Sequence, residues 1–109
     1  SRGNDAQSVN GIGVATLARM LETNNVKIET NYTSGTDAGD IWVNGALSWS
    51  SPNQLSLKAY RHIYINDVIT ASHANGKLSL AVGEGSADGY IHDTQARYWV
   101  IFINHASIG

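Results

Sequence analysis

The amino-acid sequence predicts an all-β domain whose short strands stack as a parallel β-helix, with one short helix over an end and a β-sandwich as the alternative. Three observations carry this expectation. From Val26 onward, apolar residues recur with period two in short runs separated by Asn, Asp, Gly and Pro, as in half-buried strands. The runs repeat, with Asp40-Ile41-Trp42-Val43-Asn44 resembling His62-Ile63-Tyr64-Ile65-Asn66 at an offset of 22 residues. The charged fraction is 15%, against about 25% in average globular domains, and Gly, Asn, Ser and Thr fill the difference. Such a composition suits stacked strands and turns better than helical bundles.

Taken in order, residues 1–13 are polar and rich in Gly and Asn, and are expected to be disordered or tag-derived. Residues 14–109 then form a single β-rich domain. Val14, Leu17, Ala18 and Leu21 fall at i, i+3, i+4 and i+7, which predicts a helix over about 14–23, and Asn24-Asn25 is a plausible stop. β-Structure follows over about 26–82. Its first run, Val26-Lys27-Ile28-Glu29-Thr30, alternates apolar and polar, and a turn-rich break covers Ser34 to Gly39. The later runs are Ile41-Trp42-Val43, Leu47-Ser48-Trp49, Leu55-Ser56-Leu57, Ile63-Tyr64-Ile65 and Leu78-Ser79-Leu80. Residues 84–109, with the apolar stretch Tyr98-Trp99-Val100-Ile101-Phe102, are expected to form a less regular capping tail.

The repeat extends beyond its first strand. Leu47 matches Ile69 at the same offset, and Leu55-Ser56-Leu57 matches Leu78-Ser79-Leu80 at 23, one residue having entered the loop near His73–Gly76. A unit of about three short strands is what one coil of a parallel β-helix needs, and coils stack at about 4.8 Å. The inward set would be Ile41, Val43, Leu55, Leu57, Ile63, Ile65, Leu78 and Leu80. Asn44 and Asn66 would occupy equivalent corners, where stacked amides hydrogen-bond along the axis. A third copy is expected at Ile101-Phe102-Ile103-Asn104, which requires residues 84–98 to loop out.

The stretch Gly39-Asp40-Ile41-Trp42-Val43-Asn44, then Leu47-Ser48-Trp49-Ser50-Ser51, Leu55-Ser56-Leu57-Lys58-Ala59, Ile63-Tyr64-Ile65-Asn66 and Ile69-Thr70-Ala71 resembles the filamentous-haemagglutinin-like exoproteins. The preceding Leu17 to Leu21 helix and Asn25-Val26-Lys27-Ile28-Glu29-Thr30 resemble what precedes such stretches in that family. The likeness covers about residues 14–82. These proteins are large adhesins of Gram-negative bacteria, typically exported by two-partner secretion. The resemblance implies a secreted or surface-displayed, right-handed β-helix serving adhesion or display. Its implied partners are a host-cell receptor or glycan and, during export, an outer-membrane transporter. The beginning at Ser1-Arg2-Gly3 and the end at Ile108-Gly109 read as those of a piece cut from a longer protein.

The chemistry expected is non-catalytic. No cysteine is present, which removes disulfides, thiolate metal sites and Cys nucleophiles, and no nucleophile elbow, P-loop, dinucleotide fingerprint or zinc motif occurs. With a formal net charge of −2 and no basic patch, nucleic acid is not an expected partner, and no run reaches the ~18 apolar residues of a membrane span. No cofactor and no metal are expected. None of His62, His73, His92 and His105 pairs with another at ligand spacing, and Glu84, Asp88 and Asp93 match no calcium-loop pattern. Asp40 and Asp67 with Lys58 and Arg61 are the carboxylates and bases that a polysaccharide-cleaving β-helix enzyme would need, and a plain reading makes them turn carboxylates and exposed basic residues.

The candidate binding residues are aromatic. If Ile41, Val43, Ile63 and Ile65 point inward, Trp42 and Tyr64 point outward and stack into a column, which Phe102 would extend. Aromatic rows bind sugar rings or proteins, so a carbohydrate-binding module is the alternative function. The structural alternative is that the column packs beneath the helix, the 84–98 excursion or a neighbouring domain.

Overall fold

A computed structural model describes residues 7–31, 39–85, 88–93 and 106–108. Among them the fold is mostly β, with one helix, α1 (Val14–Thr23). Two short strands, β1 (Ser8–Val9) and β2 (Ile12–Gly13), precede it. After it come β3 (Val26–Glu29), β4 (Ile41–Val43), β5 (Leu47–Trp49), β6 (Gln54–Lys58), β7 (Ile63–Ile65), β8 (Ile69–Ala71), β9 (Lys77–Ala81), β10 (Ile91–Asp93) and β11 (Ala106–Ile108).

The strands fall into three sheets, ordered β10-β7-β4-β1-β2, β11-β9-β6-β3 and β5-β8. Every pairing except those of β1 is parallel. Ile41 lies beside Ile63, Leu47 beside Ile69 and Leu55 beside Leu78, so the pairing register coincides with the sequence repeat. The chain enters the three sheets in rotation from β3 through β9, with connections of only a few residues after β4. Parallel neighbours cannot be joined by tight hairpins, and passing through the other two sheets provides the crossover.

Alternation decides what is buried. The eight residues of the predicted inward set, Ile41, Val43, Leu55, Leu57, Ile63, Ile65, Leu78 and Leu80, are each 0% exposed. Leu47, Trp49, Ile69 and Ala59 complete the core between the sheets. Trp49 satisfies its indole by donating Nε1–H to the Asn53 carbonyl at 2.9 Å. At the corner after β4 and β7, Asn66 Nδ2 donates to Asn44 Oδ1 at 2.9 Å, the expected amide stack.

α1 closes one end by burying Leu17 and Leu21, the two residues of its period that face inward together. The corner after β5 grips its last turn. The Leu21 carbonyl, which has no partner within the helix, accepts from Ser51 Oγ and from Asn53 Nδ2, and the Glu22 carboxylate accepts from the Ser50 N–H at 2.8 Å.

Two expectations are corrected. Residues 7–13, expected to be loose, form the β1–β2 hairpin. Asn10 and Gly11 both have positive φ, 53° and 87°, the conformation of a two-residue hairpin turn that Asn-Gly favours. Val9 is fully buried beside Val43, so the hairpin covers the edge of β4. Residues 1–6 lie outside the described residues. The tail is the second correction: β10 and β11 continue the sheets as parallel partners of β7 and β9. The strand beside Ile63–Ile65 is Ile91–Asp93, at an offset of 28 residues, whereas the expected third copy at 101–104 lies outside the described residues.

Candidate functional site

The outward face of the sheet formed by β4, β7 and β10 carries a row of rings. Parallel register puts Trp42 beside Tyr64 and Tyr64 beside His92. Trp42 and Tyr64 stack with centroids 3.9 Å apart and planes 11° from parallel. Tyr64 and His92 stack at 4.6 Å and 15°. All three side chains are half-buried. Strand spacing of about 4.8 Å leaves just enough room for parallel rings, so identical backbone placement produces the stack directly.

A second cluster sits at the end of the row, on the residues that precede β7 and β10. His62 and Tyr90 lie nearly parallel at 5.7 Å, and His62 meets His92 edge to face at 4.7 Å. The His62 ring accepts a hydrogen bond from the Tyr90 N–H at Nδ1, 3.1 Å, and His92 Nε2 lies 3.2 Å from the same atom. Tyr90 is 60% exposed and is the most accessible ring of the group.

Beside this cluster, Asp40 and Arg61 form a two-pronged ion pair, with Nε to Oδ1 at 3.0 Å and Nη2 to Oδ2 at 2.7 Å. Asp40 Oδ1 also accepts the His62 N–H at 2.9 Å. Burial alone would raise the Asp40 carboxyl, but the Arg61 hydrogen bond, the His62 N–H and the nearby positive charge outweigh it and hold the group below its usual range. The bond to Asp40 correspondingly raises the Arg61 guanidinium.

The predicted residues therefore divide. Trp42 and Tyr64 are brought together, and Phe102 lies outside the described residues. Neither face of Tyr64 is free, since Trp42 covers one and His92 the other. A sugar stacks on a ring face, so the middle of the row offers edges and polar tips instead. The acid and base candidates do not converge on a cleft. Asp40 holds Arg61, Lys58 approaches Glu84 at 3.9 Å, and Asp67 Oδ1 accepts the Val68 N–H at 2.8 Å. Among the described residues no group of three or more His, Asp or Glu side chains is placed to hold a metal ion.

The sequence reading missed the His62–His92 pair and Tyr90. His62 precedes β7 as Tyr90 precedes β10, and the signal was the equivalence of Tyr64 with His92. It is visible only once Ile91–Asp93 is recognised as the third strand.

No family model, curated protein or solved structure matches the chain. Among the described residues no helix is long and apolar enough to cross a membrane.

Proposed function

We propose that the chain is a non-catalytic segment of a large secreted surface adhesin, built as a right-handed parallel β-helix of the filamentous-haemagglutinin-like kind. The observation that carries this reading is the parallel, in-register pairing of strands about one repeat apart, each with aliphatic residues inward. Such a stack lengthens by adding equivalent rounds, each bonded to the one before it, which suits an extended stalk displayed at a bacterial surface. The family resemblance over residues 14–82 adds the adhesive role, the host receptor or glycan as partner, and passage through an outer-membrane transporter. The engagement of Asp40, Arg61, Lys58 and Asp67 in local contacts favours this reading over a polysaccharide-cleaving enzyme.

A second reading, carbohydrate recognition on the same sheet face, draws on the exposed ring of Tyr90 next to the stacked row. The test for both is a glycan-array and host-cell binding screen with the wild type, a Trp42→Ala/Tyr64→Ala double variant and a Tyr90→Ala variant, each checked for folding by circular dichroism. Binding lost in the variants assigns recognition to this face. A folded wild type that binds nothing marks a structural round of the stalk. Release of unsaturated or reducing sugar from uronic-acid polymers would overturn the non-catalytic reading.

A further inference from the structure

We propose that the corner bearing Tyr90 binds a neutral glycan, with a sugar ring against the exposed side of Tyr90 and its hydroxyls on Arg61 and the neighbouring carboxylates. This rests on the carbohydrate-recognition reading and gives it a place and a ligand class. Connection lengths single out the corner. The chain crosses from the sheet of β3, β6 and β9 to that of β4, β7 and β10 three times, through residues 30–40, 59–62 and 82–90. Four residues suffice for the middle crossing, so the first and third carry insertions. The other described connections between sheets are short, with residues 44–46 and 66–68 at one corner and 50–53 and 72–76 at the other. In stacked-repeat proteins, insertions gather on one face, commonly the binding face.

Tyr90 ends the third crossing, and its backbone is pinned on both sides. Its N–H donates to His62 Nδ1 and its carbonyl accepts from the Ile63 N–H, both at 3.1 Å. Gly89 packs so closely on Gly83 and the Arg61 carbonyl that no Cβ would fit. The N–H groups of Gly83, Glu84 and Gly85 donate to the carbonyls of Arg61, Ala59 and Tyr60 in the round before. Tyr90 is nonetheless 60% exposed, with His62 nearly parallel to its ring on one side. An aromatic ring on a fixed backbone gives up little conformational freedom on binding, and it offers a face to the C–H groups of a sugar.

The neighbouring polar groups suit hydroxyls. Asp40 engages Nε and Nη2 of Arg61, whose side chain stays 36% exposed, so the fork holds its remaining N–H groups in a fixed direction. Asp88 is exposed and lies within electrostatic reach of Arg61. A sugar hydroxyl both donates and accepts, and a guanidinium beside a carboxylate serves both needs. Charge decides the class of sugar. Lys58 and Arg61 face Asp40, Glu84 and Asp88, which leaves no positive surplus to draw a uronic-acid or sulfated glycan. Apolar content decides against a protein. Among the described residues Met20 and Tyr90 are the exposed large apolar side chains, and Met20 lies on α1, so this corner has one anchor where protein interfaces cluster several.

The test is an NMR chemical-shift titration of the isotope-labelled chain with lactose, maltotriose and mannotriose as neutral probes, and with galacturonic-acid and heparin-derived oligosaccharides as acidic ones. A neutral probe is expected to shift the amides of Arg61, His62, Gly89 and Tyr90 and to leave those of β5 and β8 in place. Tyr90→Phe keeps the ring and is expected to bind as the wild type does. Tyr90→Ala is expected to bind at least about tenfold more weakly, with amide signals away from the corner unmoved, which separates a lost contact from lost folding. Acidic probes that bind at Tyr90 in preference to the neutral ones overturn the ligand class and leave carbohydrate recognition standing. Neutral probes that bind away from Tyr90, or equally well to Tyr90→Ala, overturn the site alone. Tyr90-dependent binding to host cells that survives enzymatic removal of their glycans overturns the inference in favour of a protein partner. If no probe moves any amide of the folded chain, the inference and the carbohydrate reading fall together.

Discussion

Leu47 and Ser48 are adjacent on a three-residue strand, and the fold assigns them opposite costs. Leu47 is 1% exposed and lies in the core beside Ile69, whereas Ser48 points outward beside Thr70. Leu47→Ala removes three carbons, about 2.5 kcal/mol at ~0.8 kcal/mol per buried methylene. The vacated volume is walled by paired strands on fixed backbones, so it closes poorly, and the cavity raises the loss to about 3–4 kcal/mol. A domain of this length has roughly 5–15 kcal/mol of stability in total. The variant is therefore expected to melt about 12–25 °C lower. Ser48→Ala removes an exposed hydroxyl and is expected to stay within about 0.5 kcal/mol of the wild type. Urea titrations read by Trp fluorescence, with melting followed by circular dichroism, give both values. A Ser48→Ala loss equal to that of Leu47→Ala would mean that the strand is not alternating as described, and would refute the assignment of its faces.

Three further outcomes follow from the same geometry. A Cβ on Gly45 would lie 2.7 Å from Gln7 Cα and 2.9 Å from Val14 Cγ1, so Gly45→Ala should push the β1–β2 hairpin off β4 and cost about 1–3 kcal/mol, read as lost amide protection at Asn10, whose N–H donates to the Trp42 carbonyl. Asn66→Ala removes the bond to Asn44 Oδ1 and should cost about 1 kcal/mol in a urea titration, less if Asn44 turns to water. Because the Asp40 carboxyl is held below its usual range, its stabilising contribution is complete above about pH 4 and is lost as pH falls through the lowered value. Asp40→Asn should therefore be less stable than the wild type at pH 7, and the difference in urea midpoint should shrink toward pH 2.

Much of the fold was legible because a period of two carries information at every residue. The inward set followed from alternation and repeat alone, and Leu17 and Leu21 marked the buried face of α1 by their spacing. The hairpin was overlooked because β1 and β2 have two residues each, too few for a period; only Asn10-Gly11 signalled it. The strand Ile91–Asp93 was passed over because Ile101-Phe102-Ile103 copies the apolar pattern of Ile63-Tyr64-Ile65 more closely than Ile91-His92-Asp93 does. β10 holds its place with one aliphatic residue and an imidazole that stacks as an aromatic ring. That substitution hid the site, because a histidine in a polar stretch reads as a loop residue until its neighbour in space is known.

Strands one repeat apart lie side by side, parallel and in register. NMR tests it most directly, since the chain is 11.7 kDa and nuclear Overhauser contacts report strand pairing through space. Parallel pairing predicts backbone contacts joining β4 to β7 and β6 to β9, with ring contacts between Trp42 and Tyr64. Close Hα–Hα contacts between consecutive strands, such as β4 with β5 or β5 with β6, would instead reveal the antiparallel hairpins of a sandwich and contradict it.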